Sequence, residues 1–221
     1  MSEPAFPRWP LWLAVVALLV PALDLLFCGL LQFDWWSTSA RTAFALGVAL
    51  FLYEAGRGSP DTLRTLLDPA PNWWYWVRLS WCLVGIFLIA IVLFYGAVLL
   101  RVDGEASSSI PRVAAHSVPE AFNRMCIEAP LVEEVNYRLA LVGGMVSLTG
   151  RSGAILASGI VFAGLHWIYG NASIENQVAG FILAWAYLRS GTLVIPILIH
   201  AVGNLMALDL QLIAYHVLGP G

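Results

Sequence analysis

Two adjacent glutamates and an arginine lie inside an apolar run of this chain, from Ala129 to Leu148. A charged side chain in the middle of a bilayer costs about 2.5–3.5 kcal/mol on insertion scales, so three such groups need partners or a function. In a helix, Glu134 and Arg138 stand four residues apart on one face and can neutralise each other, whereas Glu133 faces elsewhere. This spacing favours Glu133 as the carboxylate that does chemistry.

Further polar groups lie in the apolar segments that follow. His166 comes four residues after Phe162, so the imidazole and the phenyl ring share a helix face. His200 and Asn204 are also four apart and lie roughly 12 Å into the last apolar segment, near the middle of a bilayer. Taken alone, each could be a packing residue or could hydrogen-bond a neighbouring helix. A carboxylate, two imidazoles and an amide together are the inventory of a hydrolase, in which a carboxylate and an imidazole deprotonate a water and the other donors bind the oxyanion.

The composition requires a membrane environment for these groups. Of the 221 residues, 60% are hydrophobic and only 11% are charged, and the mean hydropathy is +0.79. This indicates a polytopic membrane protein. The formal net charge is −3, so nothing predicts a nucleic-acid-binding surface.

Seven apolar segments are predicted to cross the membrane. They are Trp9–Leu31, Thr42–Tyr53, Val77–Leu100, Ala129–Leu148, Gly153–Tyr169, Ile174–Leu188 and Thr192–Val217. Ser117–Glu120 has the spacing of a capping box and is predicted to open an interfacial amphipathic helix with Ala121 and Phe122 on its apolar face. Pro130 either kinks this helix or starts a new one. The predicted fold is all-α, a polytopic bundle of about seven membrane helices plus the interfacial helix, in a single domain over residues 1–221.

The order Glu-Glu-x-x-x-Arg, Phe-x-x-x-His and His-x-x-x-Asn resembles the CPBP family, the type II CAAX prenyl proteases and their bacterial relatives formerly called abortive-infection proteins. The flanking residues Ser158–His166 and Gly180–Ala201 are similar as well. The resemblance covers residues 129–205 as a catalytic core, and the N-terminal helices of residues 1–128 have no assigned role. One departure is Tyr137–Leu139, where the family often has Phe-Arg-Gly.

The resemblance implies an intramembrane endopeptidase of the glutamic type that needs no cofactor. Water activation would fall to Glu133 and His166, and the oxyanion hole to His200 and Asn204. The residues that support the site would be Glu134, Arg138 and Phe162. Implied partners are membrane lipid and a protein or peptide substrate, possibly a C-terminal membrane or lipidated tail. The expected location is the bacterial inner membrane.

Three other interpretations stay open at this point. Glu133, His166 and His200 with a water are an acceptable catalytic zinc set, so the protease could be a zinc enzyme. The polar groups could instead lock helices together in a non-catalytic partner of a bacteriocin-immunity or sorting complex. A transporter is disfavoured because the chain has no inverted repeat.

Overall fold

The computed structural model describes residues 9–30, 40, 41, 43–45, 47, 48, 51, 72–99, 114–170 and 173–218. Nearly all of these residues are helical, and no strand occurs among them. The described helices are α1 (Leu11–Asp24), α2 (Trp73–Leu99), α3 (Val118–Phe122), α4 (Ala129–Glu133), α5 (Gly143–Ile168), α6 (Ile174–Ser190) and α7 (Val194–Leu218). π-Helical segments extend or join them at Leu25–Leu30, Asn123–Glu128 and Glu134–Val142. The all-α prediction is therefore confirmed for the part of the chain described here.

A widened helical turn accommodates Pro130. Proline lacks an N–H, and in a regular helix its ring clashes with the carbonyl four residues earlier. The backbone is π-helical over Asn123–Glu128, directly before α4, and residue 129 keeps helical dihedral angles. Of the two alternatives for Pro130, the start of a new helix is wrong, because helical backbone runs through it.

The capping box predicted at Ser117 is also wrong. Ser117 has φ −94° and ψ −3° and makes no side-chain capping hydrogen bond. A capping serine needs extended backbone to reach the free N–H groups of the first turn. Here a 3-10 turn, Ala115–Ser117, leads directly into α3 instead. On the predicted apolar face Ala121 is buried, but Phe122 is 41% exposed.

The chain divides into two compact units, Met1–Pro71 with Pro130–Leu198 and Asn72–Ala129 with Ile199–Gly221. In the first unit, α1 packs against the segment that follows the glutamates. Gly143 and Gly144 allow this approach: a Cβ at Gly143 would lie 2.8 Å from the Trp9 ring, and one at Gly144 would lie 3.0 Å from the carbonyl oxygen of Ala14. Leu139 stands where the family often has glycine and is itself a fully buried core residue. The close helix contact is therefore made by glycines one turn later.

Gly159 and Gly180 let α5 and α6 touch beside Phe162. A Cβ at Gly180 would lie 2.7 Å from Phe162 Cβ and 3.0 Å from Gly159 Cα, which is a backbone atom and cannot move aside easily. We expect Gly180→Ala to lower the free energy of unfolding by about 1–3 kcal/mol through overpacking. Denaturant unfolding in detergent micelles measures this change.

Gly164→Ala is the matched control, because no atom of the described residues lies within 4 Å of the added methyl group. That helical substitution should be neutral or should stabilise the protein by up to about 1 kcal/mol. Equal effects of the two substitutions would contradict the close packing of α5 on α6.

The second unit has a small core of Ala121, Cys126 and Leu208. Its helix α2 exposes large apolar side chains, among them Trp74 at 72% and Val92 at 68%, as expected for a helix that faces lipid. The predicted span Val77–Leu100 corresponds to α2. The helix already begins at Trp73, so the tryptophan cluster lies in its first turn.

Two described helices are long and apolar enough to cross a membrane, Val118–Ile168 and Val194–His216, and Leu11–Phe27 is a shorter apolar helix. The first is broken at Gly150, which has φ 74° and ψ −178°, so it consists of two stretches as the predicted turn required. Most of the predicted span Thr42–Tyr53 lies outside the described residues. The count of seven spans and the single domain stay predictions.

Candidate active site

The ion pair expected from the glutamate motif is present in the first unit. Nε of Arg138 lies 2.9 Å from Oε2 of Glu134, and both side chains are fully buried. The N–H does not point at the oxygen, so this contact is an ion pair without hydrogen-bond geometry. The guanidinium also lies over the ring of Phe162, with Cζ 4.8 Å from the ring centroid, in a cation–π contact. The Glu134 carboxylate is thus ion-paired with Arg138.

Glu133 differs from its neighbour in burial. It is half-buried, whereas Glu134 is completely enclosed. It ends α4, at the point where the π-helical segment Glu134–Val142 begins. π-Helical turns are frequent at functional sites. Glu133 interacts electrostatically with Arg138 and Tyr137, and its position fits a carboxylate that exchanges a proton with a substrate or a water.

His166 near the end of α5 has a defined orientation. Its Nδ1 lies 2.9 Å from the carbonyl oxygen of Phe162. Because a carbonyl oxygen can only accept, Nδ1 carries a proton, and in the neutral ring the lone pair is at Nε2. The imidazole also stacks on the Phe162 ring, with centroids 4.3 Å apart and planes tilted by 34°. These contacts leave Nε2 as the nitrogen that can accept a hydrogen bond or a proton.

His200 and Asn204 lie on α7 in the second unit. His200 is buried, and Nδ2 of the half-buried Asn204 donates to the carbonyl oxygen of Met125 at 2.6 Å. The residue five positions after Met125, which would be its partner in a π-helical turn, is Pro130 and has no N–H. Asn204 therefore supplies the hydrogen bond that the Met125 carbonyl oxygen cannot receive from the backbone of Pro130. A primary amide has a second N–H, which can serve another acceptor.

The structure brings five of the seven predicted site residues together in the first unit. Glu134, Arg138, Phe162 and His166 form a continuous series of contacts next to Glu133. The other two, His200 and Asn204, belong to the second unit. The complete catalytic arrangement and the alternative zinc set both combine groups from the two units, so both stay predictions.

Sequence reasoning missed a buried charged group on α1. Asp24 is completely buried, and Arg41 donates to it from Nε at 3.1 Å and from Nη2 at 3.0 Å. The hydroxyl of Tyr137 donates to the same carboxylate at 2.6 Å. A signal was present in the sequence, because Asp24 is the one charged residue in the apolar run Trp9–Leu31 and a charge at that position needs a partner.

Several buried polar atoms of the first unit have no hydrogen-bond partner among the described residues. They include both amide atoms of Asn136, which is fully buried, and the hydroxyl of Ser158. Leaving such a group unsatisfied costs about 1–3 kcal/mol, and an ordered water is the usual remedy. The interior around the glutamates is thus polar enough to hold water.

In the described residues, apolar helices, two of them long enough to cross a membrane, surround a buried glutamate–arginine pair and an oriented histidine. Residues 115–206 match the family model described as type II CAAX prenyl endopeptidase, Rce1-like. Residues 115–206 are thus similar to that family, which confirms the resemblance seen in the three motifs. Comparisons with curated proteins and with solved structures gave no match.

The matched range contains all seven predicted site residues and extends the predicted core, residues 129–205, back to include α3. The matched family is one of endopeptidases, which hydrolyse peptide bonds. Helix α1, Asp24 and Arg41 lie outside the matched range.

Proposed function

We propose that this protein is an intramembrane endopeptidase that hydrolyses a peptide bond near or within the membrane, using a water activated by Glu133 and His166. The observation that carries the proposal is the orientation of His166. The Phe162 carbonyl holds Nδ1, so Nε2 can accept a hydrogen bond from the water, and this histidine lies inside the segment that matches the endopeptidase family. Glu133 supplies the carboxylate; it is half-buried, and its neighbour Glu134 is ion-paired with Arg138.

Water is the nucleophile in this mechanism. Nε2 of His166 accepts a hydrogen bond from the water, and Glu133 removes the proton as the water oxygen attacks the carbonyl carbon of the substrate. The C–N bond then breaks while protonated Glu133 gives its proton to the leaving amine. Glu133 returns to the carboxylate form, and no covalent intermediate with the protein is formed.

His200 and Asn204 would donate hydrogen bonds to the oxyanion formed during the attack. Asn204 uses one amide N–H for Met125, so its second N–H would make this contact. We expect Asn204→Ala to lower kcat by about 10²–10³-fold with little change in KM, the usual loss for one oxyanion donor. Steady-state kinetics on reconstituted protein would measure it.

Asn123→Ala is the control for this variant, because Asn123 is exposed in the same unit. Its kinetics should equal those of the wild type. An Asn204→Ala protein with an unchanged kcat and a raised KM would move Asn204 from the oxyanion hole to the substrate-binding groove.

The metal-free mechanism and the zinc alternative make opposite predictions for chelation. Without a metal, protein purified through a chelator should keep its activity and contain well under one zinc per chain. A zinc enzyme needs its ion to lower the pKa of bound water and to polarise the carbonyl, so it would lose activity. Stoichiometric zinc, with activity lost in chelator and restored by zinc, would make Glu133, His166 and His200 ligands and would overturn the metal-free mechanism.

One observation favours a second candidate, a non-catalytic membrane partner. The Asn204–Met125 hydrogen bond is of the kind that holds helices together. In such a protein, substitution of Glu133 or His166 by an isosteric residue would leave the biological effect of the chain intact. If the protein is an endopeptidase, either substitution should abolish the biological effect of the chain.

Prenylated C termini, leader peptides and C-terminal membrane sorting tails are the candidate substrates of the endopeptidase. Prenylated C termini and membrane sorting tails place a scissile bond close to a lipid-inserted group, which suits an enzyme that exposes large apolar side chains. The proposed location is the bacterial inner membrane, with lipid as the surrounding partner.

A further inference from the structure

The first unit contains a chain of contacts that runs from Asp24 on α1 to His166. Asp24 accepts the Tyr137 hydroxyl at 2.6 Å. The Tyr137 ring meets the Phe162 ring edge to face, with centroids 5.8 Å apart and planes at 90°. Phe162 in turn stacks on His166 at 4.3 Å and holds its Nδ1 through the backbone carbonyl at 2.9 Å. Each member is linked to the next by a directional contact.

The carboxylate of Asp24 is itself fixed by Arg41. The fork of the guanidinium meets both carboxylate oxygens, at 3.1 Å and 3.0 Å, which is the bidentate geometry that gives orientation as well as energy. Both Asp24 and Tyr137 are almost completely buried, so no bulk water competes for these hydrogen bonds. The Tyr137 hydroxyl is thus held at one point by a group that cannot easily rotate.

Packing alone does not explain the Asp24 end of this chain of contacts, because it is a completely buried charge. Asp24 and Arg41 lie outside the range that matches the endopeptidase family, whereas Tyr137 lies inside it. The Tyr137 hydroxyl is the atom through which the matched segment contacts the Asp24 carboxylate. A buried ion pair contributes little net stability compared with apolar residues of the same size. The effect to test is therefore whether the Asp24–Arg41 pair orients Tyr137, rather than whether it stabilises the fold.

We propose that Asp24, held by Arg41, is a positioning residue that fixes the imidazole of His166 through Tyr137 and Phe162. This inference rests on the proposed function, because it gives the N-terminal helix a role in orienting the water-binding histidine. Loss of the hydrogen bond between Asp24 and Tyr137 lets Tyr137 and Phe162 shift, and Nε2 of His166 then points at the water less often. A displacement of about 1 Å can cost up to about 10²-fold in rate.

Tyr137→Phe tests the proposal with the smallest change, since it removes only the hydroxyl. We expect kcat to fall by about tenfold while KM stays within about twofold. The double variant Asp24→Leu/Arg41→Met, which replaces the ion pair by apolar side chains and avoids an unpaired buried charge, should lose the same factor. Combining it with Tyr137→Phe should cost nothing more, because all three substitutions break one contact. Tyr215→Phe, on a half-buried tyrosine of α7, is the control and should leave kcat unchanged.

A second measurement does not depend on activity. Solid-state NMR of ¹⁵N-histidine-labelled protein in lipid bilayers reports which ring nitrogen carries the proton, and His166→Gln assigns the signal. The wild type should give one Nδ1-protonated form of His166, whereas Tyr137→Phe and the apolar double variant should give shifted or multiple His166 signals with His216 unchanged. If kcat and the His166 signals of folded Tyr137→Phe protein both equalled those of the wild type, the proposal would be overturned. If wild-type protein cleaved none of the candidate peptides, the proposed function would fail, and the NMR result would still decide whether Asp24 orients His166.

Discussion

Glu133→Gln should reduce peptide cleavage to background, with kcat lower by about 10²–10⁴-fold, while the protein folds normally. The amide keeps the size and shape of the carboxylate but cannot take a proton from water or return one to the leaving amine. The assay uses protein in liposomes with a peptide that the wild type cleaves, chosen from farnesylated CAAX peptides and apolar C-terminal tails. Mass spectrometry of the products gives the rate.

Glu128→Gln is the matched control for this substitution. Glu128 lies five residues before Glu133 and is also half-buried, and the change removes the same charge. It should keep the wild-type rate. A Glu133→Gln protein that cleaved the peptide as fast as the Glu128→Gln protein would show that Glu133 is not the base.

Glu134→Gln should act on folding, in contrast to the neighbouring substitution. Glu134 lies 2.9 Å from Arg138 with both side chains fully buried, so the variant leaves a guanidinium in the interior without its counter-charge. Loss of one member of such a pair costs about 3–5 kcal/mol. We expect a much smaller yield of folded protein and a lower denaturant midpoint in micelles.

The double variant Glu134→Leu/Arg138→Met separates charge from shape. It removes both charges and keeps apolar side chains of similar length, so most of the stability lost in Glu134→Gln should return. If Glu134→Gln unfolded at the same denaturant concentration as the wild type, the ion pair would not support the site.

Local spacing in the sequence predicted the parts of the site that depend on one helix. The Glu134–Arg138 pair and the Phe162–His166 contact both join residues four apart, and such residues lie on the same side of a helix whatever surrounds them. The break at Gly150 was also predictable, because glycine readily adopts the positive φ that is found there.

Contacts between distant parts of the chain were not predictable in this way. Tyr137 and Asp24 are 113 residues apart, and no local pattern indicates which helix faces which. The π-helical segments around Pro130 were missed because regular helical periodicity was assumed throughout. The Asn204–Met125 hydrogen bond was missed for the same reason, because the Met125 carbonyl lacks a backbone partner only where a widened turn meets a proline.

The most direct test of the endopeptidase assignment is a comparison of protein termini in the membranes of the source cell. Strains carrying the wild-type gene, a deletion, Glu133→Gln or Glu128→Gln would be compared by mass spectrometry of newly formed N and C termini. The proposed function predicts a set of termini next to apolar or lipidated segments that is present with the wild type and Glu128→Gln and absent with the deletion and Glu133→Gln. Identical termini in all four strains, or termini restored in full by Glu133→Gln, would contradict hydrolysis by a Glu133-activated water.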